Sequence, residues 1–291
     1  MSGETSRMEI LRIEDGKTKN LRDVVIKESP ATIFLDDIEL ANLMCSPKNL
    51  DCLAVGFLFA EGLIRTKKDI KKVFADERDG VVWVELKKAR TSPEKLIARR
   101  FITTGCGKGL TYYDATLDDG RLRSKSRFKV RADSLPLLMR EFLRRSRLYR
   151  LTGGVHSAAI CSARSILVFN EDIGRHSAID KVIGECILKG IRTTDRIMVT
   201  TGRISSEILV KAARSRTPII ISKSAPTDLA VRLATDFGIT LVGFARGSRM
   251  NVYSNEWRIA ARSQARPRVT RLQNPAPEQK AEIIHPRRKR R

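Results

Sequence analysis

The stretch RIMVTTGRISSEILVKAARSRTPIIIS, residues 196–222, alternates apolar runs with a helical segment and polar loops. The runs RIMVTT and PIIIS are short, apolar and rich in β-branched residues, which favours strands. Between them, SSEILVKAARS has apolar residues at helical spacing. Strands that alternate with helices are typical of a layered α/β sheet. This stretch therefore predicts an α/β fold.

The same alternation continues on both sides of this stretch, from about Leu151 onwards. We expect Ser224 to cap the last helix, Pro226 to occupy its first turn and Gly238 to end it. The further predicted elements are the strands SILVFN (165–170), ITLVGFA (239–245) and MNVY (250–253), and the helices HSAIDKVIGECILKG (176–190) and PTDLAVRLATDFG (226–238).

The N-terminal part has a different texture and predicts a smaller α+β domain. Residues up to about Ser29 are polar, whereas ATIFLDD (31–37) and GVVWVELKK (80–88) read as strands around a helical LDCLAVGFLFAEGLI (50–64). The predicted organisation is a flexible leader (1–20), an N-terminal α+β domain (21–120), a C-terminal layered α/β domain (121–258) and a basic disordered tail (259–291).

The net charge of +23 in 291 residues is concentrated in two segments. Residues 261–291 hold ten Lys or Arg and two Glu without apolar periodicity, which indicates a solvated tail. Residues 121–150 hold eleven Lys or Arg, but Leu135, Leu138 and Phe142 keep a helical stripe, so this segment is folded. A folded basic face suits an anionic ligand or an acidic partner, and solvated surface is the alternative.

Several classes of protein are disfavoured. The longest apolar segment, LAVGFLFAEGLI, is interrupted by Glu61, so no membrane span is expected. The N-terminus lacks a secretory pattern, which predicts a cytoplasmic protein. Five cysteines without a CxxC pair argue against a disulfide framework. Only 5% of residues are aromatic and no recognition motif is present, so specific nucleic-acid binding is not expected.

Polar loops follow four of the predicted strands. In α/β sheets, ligands bind where loops leave the carboxyl ends of strands. The backbone N–H groups and arginines of such loops bind phosphate, although turns also need Gly, Pro, Asp and Ser. The four loops are EDIGRH (171–176), TTGRISSE (200–207), KSAPTD (223–228) and ARGSR (245–249).

Cys106 stands in FITTGCGKGL (101–110), among glycines and beside Lys108. A chemically reactive cysteine must be accessible and must ionise, and a neighbouring cation favours the thiolate. The alternative is an incidental small residue in a turn. Cys161 and Cys186 have apolar neighbours and are expected to be buried. Cys45 and Cys52 are second-choice thiols, that is, candidates for the reactive cysteine after Cys106.

The order of motifs between about Ile33 and Ser254 resembles the FdhD family of formate dehydrogenase accessory sulfurtransferases. The motifs that carry this resemblance are MCSPKNLDCLAVGFLFAEGLI (44–64), TTGCGKG (103–109), TGGVHSA (152–158), EDIGRHSAIDKV (171–182), TTGRISSEI (200–208), SAPTDLAV (224–231) and GFARGSRMNVYS (243–254).

The resemblance implies a fold and a function. It implies a cytidine-deaminase-like C-terminal α/β domain and a carrier that takes sulfur as a persulfide from a cysteine desulfurase. The sulfur would pass to the molybdenum cofactor, bis(molybdopterin guanine dinucleotide), before this cofactor enters formate dehydrogenase. A homodimer is also expected.

The resemblance also assigns residues. Cys106 matches the persulfide-carrying cysteine, and FARGSR matches the cofactor-binding segment, which comprises Phe244, Ala245, Arg246, Gly247, Ser248 and Arg249. Many members carry two thiols as CxxC in the cysteine loop, whereas TTGCGKG retains one. A relay through a second loop thiol is therefore in doubt here, but a single-thiol carrier is not.

Zinc chemistry is not expected, because a zinc deaminase needs H-x-E and P-C-x-x-C and this chain has neither. His156 and His176 are instead candidates for contacts to phosphate or pterin, with local backbone contacts as the alternative. The other candidates at the predicted rim are Asp172, Arg175, Arg203, Ser205 and Lys223.

Two alternative functions stay open. A chaperone that binds the cofactor without sulfur chemistry would not need Cys106. A nucleic-acid-binding protein would show strong salt dependence without sequence preference. The sequence does not distinguish molybdenum from tungsten.

Overall fold

The N-terminal segment folds into an antiparallel hairpin of β1 (Thr5–Glu14) and β2 (Lys17–Ile26). The computed structural model describes residues 3–88 and 122–261. The turn residues Asp15 and Gly16 have φ of 49° and 75°, as a two-residue type I′ turn requires. The structure thus differs from the predicted flexible leader over residues 1–20, because the Asp-Gly turn brings two ten-residue strands into register.

A four-stranded sheet with one helix follows the hairpin. Its strand order is β4-β3-β6-β5, in which β3 and β6 are parallel and the other pairs antiparallel. The predicted strands and helix of this region are confirmed, and their buried residues form one apolar cluster. The elements are β3 (Ser29–Leu35), β4 (Ile38–Cys45), α1 (Leu50–Ala60), β5 (Ile70–Asp76) and β6 (Val81–Leu86).

A six-stranded mixed sheet forms the C-terminal half, in the order β13-β12-β11-β10-β8-β9. Strands β10, β11 and β12 are parallel, β8 is antiparallel to both β9 and β10, and β13 is antiparallel to β12. The predicted strands are confirmed. The two-residue strands β7 (Val130–Arg131) and β14 (Ile259–Ala260) pair in parallel outside this sheet. The strands of the six-stranded sheet are β8 (His156–Cys161), β9 (Ile166–Asp172), β10 (Ile197–Thr200), β11 (Ile219–Ser222), β12 (Thr240–Arg246) and β13 (Arg249–Ser254).

Helices cover both faces of this sheet, as the alternation of strands and helices predicts. Buried residues of α4, α5 and α6 pack on one face and those of α2 on the other. Among the helices in the described ranges, none is long and apolar enough to cross a membrane. The helices are α2 (Ser134–Arg145), α3 (Arg147–Thr152), α4 (Arg175–Lys189), α5 (Ser206–Arg214) and α6 (Asp228–Asp236).

Helices α1 and α4 cross with their backbones in contact, which joins the two sheets. A Cβ atom on Gly56 would lie 1.9 Å from the carbonyl oxygen of Asp180, and one on Gly184 would lie 1.9 Å from that of Cys52. Only glycine fits at either position.

The start of α6 differs from the prediction. Thr227, not Ser224, is the N-cap, and its hydroxyl accepts a hydrogen bond from the Ala230 N–H at 3.3 Å. Pro226 is not in the first turn, because its backbone forms a parallel bridge with Ile204. After the helix, Gly238 has a φ of 64°, which fits the predicted glycine stop.

Candidate functional site

The four polar loops singled out in the sequence meet at one edge of the six-stranded sheet. Strands β10, β11 and β12 are parallel, and β9 runs in the same direction because β8 is antiparallel to both of its neighbours. The carboxyl ends of these four strands therefore lie on the same side, which we call the carboxyl edge. The amino end of β8, which begins at His156, lies there too.

A cleft of about 420 Å³ opens at the carboxyl edge, and we call it the edge cleft. Its volume is within the range of small-molecule sites. It brings together three of the predicted site residues, His156, Lys223 and Arg246. The complete lining is Tyr149, Gly153, Gly154, Val155, His156, Ile173, Thr201, Lys223, Ser224 and Arg246.

Lys223 and Arg246 give the edge cleft its positive charge. The Arg246 Nε donates a hydrogen bond to the Lys223 carbonyl oxygen at 3.1 Å, which fixes the start of the guanidinium and leaves its two terminal nitrogens for a ligand. The Lys223 Nζ lies 5.6 Å from the centre of the Tyr149 ring, a cation–π contact. Neither cation forms an ion pair with the described residues, so both charges are available to an anion.

The predicted segment Phe244–Arg249 forms the end of β12 and the tight turn into β13. Phe244 has a φ of 51°, at an irregularity in the β12–β13 register, and its ring lies 5.9 Å from the Arg246 guanidinium. Ala245 is buried, and Gly247 has the positive φ, 57°, of a turn residue. Arg246 lines the edge cleft, whereas Phe244, Ala245, Gly247, Ser248 and Arg249 do not.

His156 contributes a neutral imidazole to the edge cleft. Its Nδ1 lies 3.3 Å from the Thr201 hydroxyl, which also accepts a hydrogen bond from the Ser157 N–H at 3.0 Å. Burial lowers the pKa of His156, and the nearby Arg175 lowers it further. His156 is the first residue of strand β8.

His176 and Arg175 adjoin the edge cleft without lining it, at the start of α4. Burial lowers the pKa of His176 to about 3, and Lys211 and Arg175 add to this effect. The Glu207 carboxylate lies 3.2 Å from the His176 Nε2, but it is half-exposed and does not outweigh these causes. The side chain of Arg175 packs against Gly202, where an added Cβ would lie 2.8 Å from the Arg175 Cβ.

Asp172 is turned away from solvent and bonded to the protein. Its Oδ2 lies 2.6 Å from the Lys181 Nζ and accepts hydrogen bonds from the N–H and hydroxyl of Ser46, at 3.1 and 3.0 Å. The Oδ1 accepts the Gly174 N–H at 2.9 Å. The predicted rim residue thus forms a buried ion pair that ties the segment after β4 to the sheet.

Two further candidates lie outside the edge cleft. Arg203 is exposed on the loop after β10. Ser205 caps α5, and its hydroxyl accepts a hydrogen bond from the Ile208 N–H at 3.5 Å. In the described parts of the chain, no group of three His, Cys, Asp or Glu side chains is placed to hold a metal ion.

The four described cysteines are buried, as expected for Cys161 and Cys186. Burial raises the pKa of Cys45, Cys161 and Cys186 to about 12 and raises that of Cys52 as well. The second-choice thiols Cys45 and Cys52 are therefore protonated and shielded at neutral pH. Cys106 and Lys108 lie outside the described residues.

Sequence reasoning did not single out Thr201 and Tyr149, whose side chains contact predicted residues of the edge cleft. Thr201 was present in the quoted loop TTGRISSE, but its contact with His156 depends on the pairing of β8 with β10. Tyr149 lies on the short helix α3, which no sequence pattern connects with Lys223.

Comparisons with known proteins agree with these motifs. Residues 26–260 match the model of the FdhD/NarQ family. The sulfur carrier protein FdhD of Bacillus subtilis is 38% identical over 255 residues, which cover 88% of this chain and 97% of that protein. The corresponding protein of Listeria innocua is 40% identical over 256 residues, 87% of this chain and 98% of the relative.

A solved structure is also similar. A protein assigned as a formate dehydrogenase accessory protein, from Desulfotalea psychrophila, superposes with a TM-score of 0.73 at 27% identity. The match covers 88% of this chain and all of that chain. Because the family model and the relatives both span most of the sequence, this chain belongs to the FdhD/NarQ family.

Proposed function

We propose that this protein is a sulfur carrier that serves the maturation of formate dehydrogenase. Sulfur arrives as a persulfide from a cysteine desulfurase, is held on Cys106, and is passed to the bis(molybdopterin guanine dinucleotide) cofactor before the cofactor enters the enzyme. Relatives that are 38–40% identical over most of the chain are named sulfur carrier proteins, which supports this role. A homodimer and a cytidine-deaminase-like C-terminal domain without zinc belong to the same proposal.

The observation that carries the proposal is the edge cleft. It brings together Lys223 and Arg246, which form no ion pair with the described residues, and the neutral imidazole of His156, at the carboxyl ends of the strands. Forked guanidinium donors and an ammonium group bind phosphate oxygens strongly. A cleft of about 420 Å³ accommodates a nucleotide-sized part of the substrate. We therefore assign the guanine dinucleotide phosphates to this cleft.

The thiol chemistry also favours Cys106. In the loading step, the Cys106 thiolate attacks the outer sulfur of the desulfurase persulfide, a new S–S bond forms, and the donor cysteine leaves as its thiolate. Such an attack requires an ionised and accessible thiol. Cys45, Cys52, Cys161 and Cys186 do not meet this requirement, because burial raises their pKa values.

Intact mass after incubation with a cysteine desulfurase and cysteine tests the proposal. The wild-type protein should gain sulfur mass that a reductant removes, and Cys106→Ser should gain none. Cys186→Ser is the matched control and should load as the wild type does, because Cys186 is buried in the core. Loading of Cys106→Ser would move the chemistry to another thiol. Formate dehydrogenase maturation by Cys106→Ser would favour the chaperone alternative instead.

A further inference from the structure

A second recess lies at the opposite edge of the six-stranded sheet, where the chain enters β10 and β11. It has a volume of about 1010 Å³ and includes the segment 122–128, residues of the loop before β10 and Arg216, which follows α5. Asp195 is the single carboxylate among the described lining residues. We call this recess the basic groove, after its six cations, Arg123, Lys125, Arg127, Arg192, Arg196 and Arg216.

Three of these cations form a regular row. Along the segment 122–128, Arg123, Lys125 and Arg127 are exposed, whereas the even-numbered residues between and beside them are half-buried. Alternation of this kind is typical of an extended backbone, in which every second side chain points the same way, roughly 6.5 Å from the next. The row therefore presents positive charge at a regular spacing.

A buried arginine, Arg258, anchors the backbone of the segment that carries the row. Arg258 is 1% exposed, and its guanidinium donates hydrogen bonds to the carbonyl oxygens of Ser126 and Gly238, each at 2.8 Å. The N–H of Ser124 donates to the carbonyl oxygen of Phe237 at 2.8 Å. The backbone of the segment is thus anchored to the end of α6 before any ligand binds, which lowers the entropy cost of binding.

Within the described residues, the charges of the basic groove are largely uncompensated. Arg196 pairs with Asp195 at 2.9 Å. The other five cations form no ion pair with the described residues, and they lie within a single recess. Cations of like charge in one recess repel each other, and a bound anion relieves that repulsion.

Arg216 occupies a backbone position that favours glycine. Its φ is 57°, and it follows α5 with its N–H bonded to the Ala213 carbonyl oxygen at 2.9 Å. A left-handed residue after a helix is usually glycine, because a side chain there costs on the order of 1 kcal/mol. The chain thus places a cation in the basic groove at the expense of local backbone strain.

We propose that the basic groove docks an extended acidic segment of a partner protein. In an extended peptide, alternate side chains have the same spacing as the row of cations, so carboxylates at every second position can pair with successive members of the row. Single-stranded nucleic acid is the other polyanion of this shape. It usually stacks its bases on aromatic side chains, and the one aromatic residue among the described lining residues, Phe128, is half-buried.

The test measures binding of a fluorescent peptide of alternating Glu and Ser to the full chain at about 0.15 M salt. The triple variant Arg123→Gln, Lys125→Gln, Arg127→Gln should bind at least about tenfold more weakly than the wild type. The matched control, Arg7→Gln, Lys17→Gln, Lys19→Gln, removes the same charge from exposed positions of the β1–β2 hairpin. It should change the dissociation constant less than about twofold. Equal weakening of both variants would overturn the proposal.

Two further arms separate docking from folding and from nucleic-acid binding. Arg216→Gly should weaken peptide binding about threefold without lowering the thermal midpoint, since glycine relieves the strain at this position. Wild-type affinity in this variant would contradict the assignment of Arg216. An oligothymidylate of the same length should bind more weakly than the peptide. Tighter, groove-dependent binding of the oligonucleotide would replace the proposed partner with a nucleic acid.

Discussion

His156 and Asp172 are paired directly across β8 and β9, but one side chain lines a cleft and the other is buried. The Asp172 side chain is fully buried, and both of its oxygens contact protein groups. Within the described residues, the His156 imidazole has one hydrogen-bonding contact, to the Thr201 hydroxyl, and it lines the edge cleft. Both residues belong to motifs that the sequence singled out. The comparison shows that the protein partners of a polar side chain, rather than its motif, indicate whether it is available to a ligand.

Asp172, the buried residue of the two, forms an ion pair with Lys181 that stabilises the junction between the two sheets. Lys181 is 1% exposed, and its Nζ also contacts the hydroxyl and the carbonyl oxygen of Ser46, at 2.9 and 3.0 Å. A charge removed from water needs such partners. The ion pair therefore links the segment after β4 with α4, next to the glycine crossing of α1 and α4.

The largest expected effect is a loss of stability when Asp172 loses its ion-pair partner, Lys181. Lys181→Met should lower the free energy of unfolding by about 3–5 kcal/mol, because it leaves a buried carboxylate uncompensated. Urea denaturation measures this change. As the control, Lys189→Met removes an exposed lysine from its pair with the half-buried Glu185 and should cost less than about 1 kcal/mol. Equal losses in both variants would mean that the buried pair contributes nothing beyond a surface pair.

A second test concerns the histidine next to the edge cleft. The pKa of His176 is about 3 in the folded protein and about 6.5 when unfolded, so protonation favours the unfolded state. Its contribution to stability is present above about pH 6.5 and is lost progressively as the pH falls toward 3. This site alone should cost about 2 kcal/mol at about pH 5. Stability curves of wild type and His176→Gln should thus converge on acidification. Parallel curves would contradict a neutral, buried His176.

A third test separates the two arginines that flank the tight turn. Arg246→Ala should weaken GDP binding about tenfold, which corresponds to about 1.4 kcal/mol, because this guanidinium lines the edge cleft. Arg249→Ala is the control from the facing position of β13, outside the cleft, and should change the affinity less than about twofold. Isothermal titration calorimetry measures both. The reverse order would move the phosphate site to the other side of the turn.

The sequence predicted which loops lie at the carboxyl edge, but not which contacts the individual side chains make there. Loops rich in Gly, Ser and Arg follow apolar strands, and parallel topology places them together, so Lys223 and Arg246 could be found from local pattern. The burial of Asp172 depends on Ser46, which is 126 positions away in the chain and has no local signal. A lysine within the apolar helix AIDKVIGE was one available sign of a buried ion pair.

The smallest effect is expected from the hydroxyl that orients His156. Thr201→Val preserves the shape of the side chain but removes the acceptor for the Ser157 N–H and the contact with the His156 Nδ1. Loss of one such hydrogen-bonding group costs about 1 kcal/mol of stability. Because the imidazole then rotates more freely in the edge cleft, GDP binding should weaken about threefold, without the large destabilisation expected of Lys181→Met. Thr201→Ser retains the hydroxyl and should bind GDP as the wild type does. If Thr201→Val bound GDP with unchanged affinity, the orientation of His156 would not matter for the ligand. The His156 side chain would then line the cleft without contributing to ligand binding.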